Sequence, residues 1–527
     1  MKNKVLDWFV RILILDKTVH LFGEIWSAFL KPTVWLRTLR SIPPVMPFFA
    51  WRRRQSSLVR HLIGNMVVGL GIAFLLWSLH GFRWLHEIED SGIDWVMRMQ
   101  WGTQPTGAVQ TFALIDIDEE TYRSWGEPFH VPRNRLLQLI KYAVDGRASV
   151  VVVDVDLSQE GHDINADKQL KKYLANYDKP GHPPIILTRV FREPLKNEVS
   201  PYRSIRRSFL EEDGRIAQSK LIYWGSPLFN VDQDDRMLRR WRLWEPVCTG
   251  IVPSIQLLTV ALVNSDRNGV GQTTTEIQRS LAPLVPGGCG NGNHAGEIPA
   301  FHHASEIIEL SGMKLHSSPD AIAQRIIYTQ PWHLEPGQAR LKISGRHGSK
   351  IEVPILSIRS ALPILNQSVD NSWLSGRVVV IGASFSESRD RHLTPLGEMP
   401  GALVLINAIH SLQQYEELTP PPWYVKLLVE ALLIVVMSLA FAWFDSFWGM
   451  VVSGTLIILA LLPLSFVAFR YGVWLDFAIP LAAVQLHQTV EGFQEDQHRR
   501  SKEPAHAPVT AIRPHGKNRA HRNKHRK

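Results

Sequence analysis

The sequence predicts an α/β periplasmic domain with a mainly parallel or mixed sheet covered by helices, held by an α-helical membrane anchor of four transmembrane segments. Three observations predict this class. Short runs rich in valine and isoleucine flank a segment of helical periodicity. One apolar segment precedes a long mixed region, and three more follow it. The charges beside the first apolar segment change sign across it. The four segments are 61–80, 426–444, 449–469 and 473–490.

The first apolar segment sets the membrane topology. Residues 62–79 carry no charged side chain and form a helix about 27 Å long at 1.5 Å per residue, close to the hydrocarbon thickness of a bilayer. Arginines precede the segment and acidic residues follow it, which places the N-terminus in the cytoplasm. We therefore expect residues 81–422 in the periplasm of a bacterial inner membrane and both termini in the cytoplasm. The fourth segment is interrupted by Asp476 and Pro480, but a positive tail follows it.

The two ends of the chain are predicted to lie on the cytoplasmic side. Segment 1–50 has apolar residues near helical spacing, broken by charges, which is typical of an amphipathic or interfacial helix. The chain has a formal net charge of +9, and residues 497–527 alone hold ten Lys or Arg against Glu503. The basic tail 491–527 is expected to be disordered and to contact the lipid bilayer. Its basic part, residues 497–527, has neither aromatic stacking residues nor a folded basic face, so no nucleic acid is expected as a partner.

The periplasmic region shows the pattern of a parallel sheet. Buried-strand signals occur at 111–118, 149–157, 184–190 and 377–385. Segment 132–145 lies between the first two and predicts a helix, with Pro132 in its first turn. A strand, a helix and a strand within about 45 residues form a βαβ unit, which requires parallel strands. A second helix is predicted over 400–415, and the polar stretch 264–300 is predicted to be a surface insertion.

Several segments resemble the CHASE2 extracellular sensor domain. They are IDIDEETYRSWGEP, VPRNRLLQLIKYAVDGRASVVVVDVDL, VDQDDRMLRRWRLWEP with VPSIQL, and GRVVVIGASFSESRDRHLTPLGEMPGALVLINAIHSL. The resemblance spans roughly residues 83–415, and three membrane helices after the domain match that family's arrangement. It implies a sensor that usually continues into an output module, for which the residues after 490 are too few. The family's tryptophan-proline-tryptophan-proline-arginine motif stands here as FHVPR, which keeps Pro132 and Arg133. The residues of the closing run that match the family are Gly382, Asp390, Thr394, Pro395, Pro400 and Gly401.

Aspartates mark a candidate ligand site at the ends of two predicted strands. Asp116 and Asp118 end the first strand. Asp154 and Asp156 end the second. Open α/β sheets bind ligands at the carboxyl ends of their strands, so these side chains are candidates for ligand binding together with Asp390.

Clustered carboxylates require a balancing charge or protonation. Arg133, at the start of the intervening helix, and Arg389 or Arg391 are the candidate partners. Three interpretations of the aspartate cluster stay open: a structural salt-bridge network, a small-ligand pocket, and a divalent metal site that uses His130 or His162. No tight ligand spacing is present, so no metal or cofactor is expected.

The catalytic motifs are incomplete. The segment after the last predicted strand lacks the second glycine of a nucleophile elbow, and GVGQTTT at 269–275 lacks the lysine of a phosphate-binding loop. The two cysteines, Cys248 and Cys289, both fall in the periplasmic region. A disulfide between them is an open alternative in that oxidising compartment.

The sequence therefore predicts a membrane sensor without a catalytic domain. Its periplasmic domain is expected to bind a ligand or protein and to signal to a separate partner, and it can form a homo-oligomer. A non-catalytic scaffold of an envelope complex is one alternative. A periplasmic enzyme that uses the aspartates is the other.

Overall fold

The computed structural model describes much of the predicted periplasmic region and parts of the segments after it. Apart from single positions, the described ranges are 83–100, 110–194, 202–247, 250–265, 276–277, 279–280, 307–310, 312–316, 324–332, 340–344, 350–366, 369–418, 422–443 and 463–469. Several predictions fall almost entirely outside these ranges: segment 1–50, the apolar segments 61–80 and 473–490, the insertion 264–300, the tail 491–527, and both Cys248 and Cys289.

A six-stranded sheet forms the centre of the predicted periplasmic region. Every neighbouring pair in it is parallel. The predicted α/β class with a parallel sheet is therefore confirmed, and the four predicted strands are all present. The spatial order of the strands is β15 (Leu356–Ser360), β1 (Phe112–Ile117), β16 (Val378–Ala383), β2 (Val150–Val153), β3 (Ile185–Thr188) and β6 (Ile222–Gly225).

Burial on both faces explains the continuous apolar runs of the central strands. All residues of β1 and β2 are buried. Phe112 pairs with Leu356 on one side and with Val378 on the other, so β1 is an interior strand. β16 comes last of the six in the chain yet lies between β1 and β2. The order of the strands thus changes direction at the centre of the sheet.

Helices cover the two faces of the sheet. On one face, α3 (Arg133–Asp145) buries Leu136 and Ile140 at helical spacing against β2 and β16. On the other face, α8 (Gly401–Tyr415) packs on β16, β1 and α6 (Ile255–Asn264). The predicted helix 132–145 is confirmed with one change, because Pro132 lies at the N-cap and the helix begins at Arg133.

The remaining elements surround this core. The helices are α1 (Arg83–Gln100), α2 (Glu119–Ser124), α4 (Ile164–Ala175), α5 (Gly214–Ala217), α7 (Ala361–Asn366) and α9 (Trp423–Trp443), with 3-10 turns at Phe209–Glu212, Ser372–Leu374 and Ser386–Ser388. Antiparallel two-stranded ribbons are formed by β4 (Val190–Arg192) with β5 (Ser204–Arg206), β7 (Phe229–Val231) with β8 (Leu238–Trp241), β9 (Trp244–Val247) with β10 (Gly250–Pro253), β11 (Ile307–Leu310) with β12 (Met313–His316), β13 (Arg340–Ser344) with β14 (Lys350–Pro354), and β17 (Arg391–Thr394) with β18 (Gly397–Pro400).

Two glycines let the helices of the second face approach the sheet. A Cβ atom on Gly382 of β16 would lie 2.4 Å from the Cβ of Ala402 in α8. A Cβ atom on Gly225 of β6 would lie 2.8 Å from Leu258 in α6. Both glycines are near the carboxyl ends of their strands, and Ala402 is near the start of α8. The first turn of α8 is therefore held directly over the carboxyl edge of the sheet.

The predicted second membrane segment coincides with α9. Its side chains at Leu428, Leu432 and Val435 are exposed and recur at helical spacing. Among the described residues, none of the helices combines the length and the apolar character required to cross a bilayer. The chain divides into one compact unit of residues 79–429 and 457–479, which contains the sheet, and a second of residues 1–78, 430–456 and 480–527. The four membrane segments remain predictions.

Candidate functional site

The carboxyl edge of the sheet carries a row of polar and small residues. Asp116 of β1 pairs in register with Gly382 of β16. Asp154 follows β2 directly, one residue beyond the last registered pair of β2 with β16. Neighbouring strands lie about 4.8 Å apart, so Asp116 and Asp154 are separated by roughly 10 Å across Gly382. The structure thus divides the predicted aspartate cluster into two neighbouring groups on the face covered by α8.

The first group centres on Asp116, whose side chain is buried. The Ser384 hydroxyl donates a hydrogen bond of 2.8 Å to Oδ2 of Asp116. Its Oδ1 has no hydrogen-bond partner among the described residues. Burial raises the pKa of Asp116 to about 6; the Ser384 hydrogen bond and the charge of Arg391 oppose this rise, and the charge of Asp118 adds to it. Arg391, one of the predicted partners, therefore does face an aspartate of the edge.

The second group joins Asp154 to the loop after β16. Burial, followed by the charge of Asp390, raises the pKa of Asp154 to about 7, while His392 and the Thr188 hydroxyl act in the opposite direction. His392 Nε2 lies 2.9 Å from Oδ1 of Asp390. The side chains of Asp390 and His392 are 41% and 30% exposed, so solvent and solutes can reach this group. Carboxylates at an open edge of a parallel sheet can accept hydrogen bonds from a ligand.

Asp390 also fixes the start of α8. The Gly401 N–H donates a hydrogen bond of 2.8 Å to the Asp390 carbonyl oxygen. A Cβ atom on Gly401 would lie 2.2 Å from an Asp390 carboxylate oxygen, so only glycine leaves room for this carboxylate. Negative charge near the first turn of a helix is favourable, because the unpaired N–H groups there carry partial positive charge. The matched residues Asp390 and Gly401 therefore form one structural unit.

Other predicted site residues have local structural roles. Asp118 caps α2 by accepting hydrogen bonds from the Thr121 N–H at 2.9 Å and the Thr121 hydroxyl at 2.6 Å. The Asp156 side chain is exposed and accepts a hydrogen bond of 2.7 Å from the Ser158 N–H. These contacts account for both carboxylates without a ligand.

Arg133 lies away from the aspartates of the edge. Its guanidinium is buried, and Nη2 donates to the carbonyl oxygens of Asp156 and Gln159 at 3.2 Å. Its Nε lies 3.7 Å from Oδ1 of Asp167 in α4. Burial lowers the pKa of Arg133, and the charges of Asp167 and Asp156 act in the opposite direction. Arg133 therefore ties the loop after β2 to α4.

The proline and threonine matches shape the β17–β18 ribbon and the approach to α8. The Thr394 hydroxyl donates to the Gly397 carbonyl at 2.6 Å and closes the turn of the ribbon. The Pro395 carbonyl accepts a hydrogen bond of 2.7 Å from Arg98 Nε of α1. Pro400 occupies the N-cap position of α8. This ribbon therefore connects the loop that carries Asp390 to α1.

A buried ion cluster was missed by the sequence reading. Arg325 has a fully buried side chain and contacts both Asp90 and Asp94 of α1. Arg239 of β8 lies 3.0 Å from Asp94, and Arg240 lies 2.7 Å from Asp90. From sequence, Asp90 and Asp94 were only acidic residues after a membrane segment. Because they are four residues apart, both lie on one face of α1, and this spacing was the feature of the sequence that could have indicated the cluster.

A cleft beside the edge strand β6 was also missed. It has a volume of about 1580 Å³, which exceeds the usual size of a small-molecule site. Arg189, directly after β3, lines it, pairs with Glu211 at 2.7 Å and lies 4.9 Å over the ring of Trp224. None of the predicted aspartates lines this cleft. The carboxyl edge thus offers an acidic part and a separate aromatic and basic part.

The metal alternative finds no support in the described part of the chain. No group of three or more His, Cys, Asp or Glu side chains within those ranges is arranged to hold a metal ion. Asp116 and Asp154 also form no ion pair within 4.0 Å with a described Lys, Arg or His. A salt-bridge network around these two aspartates is therefore not seen among the described residues.

Comparison with known proteins gives one match. A family model described as the CHASE2 domain matches residues 67–443. No curated protein and no solved structure matches the chain. The matched range includes the six-stranded sheet, the ion cluster, the ribbon of β17 and β18, and α9.

Proposed function

Because the chain belongs to the CHASE2 domain family, whose members are extracellular sensory domains, we propose that it is an inner-membrane sensor with this domain in the periplasm. The domain binds a small ligand or a protein at the carboxyl edge of its sheet. It passes the change through the flanking membrane segments to a separate partner.

The observation that carries the proposal is the paired carboxylate group at the carboxyl edge. Asp154 and Asp390 come from different segments and act on one another without a balancing Lys or Arg among the described residues. They lie beside β16, where the strand order changes direction, and such positions are the usual ligand sites of open α/β sheets. Asp154 is half-buried, and a carboxyl group whose pKa is raised to about 7 in this position favours a functional site over a purely structural one.

Two helices can carry the signal towards the membrane. α8 begins at Gly401, whose N–H donates to the Asp390 carbonyl, and the chain continues through residues 416–422 to α9 in the predicted second membrane segment. α1 follows the predicted first membrane segment, and its Arg98 donates a hydrogen bond to the Pro395 carbonyl. Trp95 of α1 also stacks on Phe466, which belongs to the predicted third segment, with ring centroids 5.9 Å apart. A displacement at the edge would therefore act on both ends of the domain.

Reporter fusions test the topology. Alkaline phosphatase, which is active only in the periplasm, is fused after residue 250 or after residue 495. We expect activity from the first fusion and none from the second. A cytoplasmic reporter at the same positions should give the opposite pattern. Activity of the phosphatase after residue 495 would contradict the predicted cytoplasmic tail.

Ligand-dependent stabilisation tests the binding site. The full chain in detergent is heated with and without the low-molecular-weight fraction of a periplasmic extract, because a ligand that binds only the folded state raises Tm. We expect a rise that Asp154→Asn abolishes and the matched control Asp156→Asn retains.

Two other outcomes would redirect the interpretation of the binding test. Loss of the shift in Trp224→Leu, but not in Asp154→Asn, would move the site to the cleft. No shift, together with a stable co-purifying envelope complex, would instead support the scaffold alternative.

A further inference from the structure

We propose that the cleft beside β6 is a peptide-binding site, in which an extended acidic segment of a partner protein pairs with the free edge of β6. The cleft lies at the side of the sheet that ends in β6. None of the aspartates of the carboxyl edge lines it. The proposal therefore concerns a second site and does not depend on ligand binding at those aspartates.

The outer edge of β6 has unused backbone groups. β6 is the last strand of the sheet, and on its inner side the Arg189 N–H donates to the Gly225 carbonyl at 2.7 Å. Bonding to one neighbour alternates along a parallel strand, so Trp224 and Ile222 direct their backbone groups away from β3. The Ile222 N–H is used by the Ser219 hydroxyl at 3.0 Å. Within the described ranges, the N–H and the carbonyl of Trp224 have no hydrogen-bond partner.

A proline explains why this edge stays open. Ser226 and Ser254 form a parallel bridge, and the Ser226 N–H donates to the Pro253 carbonyl at 3.2 Å. Continuing this pairing along β6 would require an N–H on Pro253 to bond the Trp224 carbonyl. Proline has no N–H, so the pairing stops there. Residues of β6 and of β10 both line the cleft. The cleft is therefore the space between two strands that meet only at their ends.

β10 also directs backbone groups towards the cleft. Its antiparallel pairing with β9 places Val252 opposite Glu245, and the Ser254 N–H donates to the Leu243 carbonyl at 2.8 Å. Antiparallel strands exchange hydrogen bonds at alternate residues. The N–H and carbonyl of Ile251 therefore point away from β9, on the side where Pro253 bonds Ser226. An extended peptide between the two strands can pair with both walls.

The size and the lining of the cleft suit a peptide. Its volume of about 1580 Å³ exceeds the range of roughly 300–1,000 Å³ that is usual for small-molecule sites. Val252, Leu258 and Ile277 are buried apolar residues of the lining. Successive side chains of an extended peptide point to opposite faces, so every second one can contact apolar residues while the others remain in water.

The charge of the lining indicates which peptides bind. Arg207 and Lys220 are exposed, and neither has a carboxylate within 4.0 Å among the described residues. Arg189 and Arg203, the other basic residues of the lining, are each paired with a glutamate, at 2.7 and 2.6 Å. Among the described acidic residues of the lining, Glu160 is the one without a cation. Positive charge is in excess, which favours a peptide that carries carboxylates.

Fluorescence anisotropy with labelled hexapeptides and the full chain in detergent tests the proposal. In the first peptide valine alternates with glutamate, and in the second valine alternates with lysine. The third is the glutamate peptide with every valine N-methylated, which removes N–H donors and keeps the charge. At low ionic strength we expect the glutamate peptide to bind about tenfold more tightly than either of the others.

Variants of the chain separate backbone pairing from side-chain contacts. Trp224→Pro removes the free N–H without removing a bond to β3, and Trp224→Val is its matched control because it loses the same ring and keeps the N–H. We expect the proline variant to bind the glutamate peptide about tenfold less tightly than the valine variant. Arg207→Gln and Lys220→Gln should each weaken binding about threefold. Arg215→Gln, an exposed cation outside the cleft, should have no effect.

Defined results overturn the peptide site. A glutamate peptide that does not bind, or that binds no better than its lysine and N-methyl counterparts, overturns it. Equal affinity of the two Trp224 variants does the same. If Trp224→Pro does not fold, the N-methyl peptide and Arg207→Gln still decide.

Two further outcomes would assign the cleft to another occupant and overturn the proposal. Peptide binding that requires removal of residues 266–275 would show that this segment of the chain fills the cleft. A rise in Tm with the low-molecular-weight extract that Trp224→Leu abolishes, without binding of any peptide, would show a small-ligand site. Failure of the peptide site leaves the proposed site at the aspartates to its own test.

Discussion

The buried ion cluster makes a strong prediction about the stability of the domain. Arg325 has no exposed side-chain surface, contacts the carboxylates of Asp90 and Asp94, and donates to the Asp90 carbonyl at 3.0 Å. Arg325→Met keeps an unbranched side chain of similar length and removes the charge. The two carboxylates of α1 then lose the cation that bridges them.

The expected loss of stability follows from the ion pairs that remain in the Arg325→Met variant. Breaking a buried ion pair costs about 3–5 kcal/mol, because the remaining charge is buried without its partner. Arg239 still contacts Asp94 at 3.0 Å, and Arg240 still contacts Asp90 at 2.7 Å. Each carboxylate thus keeps one cation, so we expect a loss of unfolding free energy at the lower end of that range, about 3 kcal/mol. In a domain of this size that loss lowers Tm by roughly 6 °C.

Thermal and urea unfolding of the full chain in detergent, followed by tryptophan fluorescence, measure the loss. Arg123→Met is the matched control, since Arg123 pairs with Glu119 at 2.8 Å with its side chain 67% exposed. An exposed pair of this kind contributes about 0–1 kcal/mol. The reasoning fails if Arg325→Met costs no more than this control. Restoration of stability by adding Asp90→Asn would identify the unpaired carboxylate as the cause.

Three further predictions address the edge and the core. Gly382→Ala should destabilise by about 2 kcal/mol through overpacking, and a double-mutant cycle in denaturant should show a smaller loss in an Ala402→Gly background. Asp118→Ala should cost about 1 kcal/mol in urea unfolding by removing the cap of α2, whereas Asp118→Asn should retain most of it. Burial lowers the pKa of His410 from 6.5 to about 4. As the pH falls from 6.5 to 4, the unfolded chain therefore binds a proton at His410 that the folded chain does not bind. The native chain should therefore lose up to about 3 kcal/mol between pH 6.5 and 4 relative to His410→Gln, and parallel pH profiles of the two would contradict this.

Local pattern was enough to identify the central strands. The runs at β1, β2 and β16 are buried on both faces, and such strands are recognisable because nearly every position is apolar, with Asp116 of β1 as the charged exception. The edge strands β6 and β15 were not predicted. β6 is mostly buried, but its sequence IYWG has one β-branched residue and is too short to stand out as a strand. β15 is only partly buried and carries Ser357, Arg359 and Ser360, so it has no continuous apolar run.

The sequence predicted which aspartates lie at the edge of the sheet, but not which groups their side chains contact. Chain order and parallel pairing place Asp116 and Asp154 at the same edge of the sheet, and both are found there. Spacing along the chain cannot show that Asp118 caps its own helix or that Arg133 turns towards Asp167, because these outcomes depend on side-chain direction. The ion cluster depends on contacts between positions 90, 239 and 325, and no local pattern records such distances.

The sequence by itself determined that this chain builds a parallel α/β domain and that aspartates end two of its strands. Apolar runs and strand–helix alternation are local properties that burial imposes on the order of residues. Only the tertiary structure decided that β16 lies between β1 and β2, and with it that the charge of Asp390 acts on Asp154. Strand order is set by the packing of side chains from distant parts of the chain, so the electrostatic surroundings of Asp154 exist only in the folded protein.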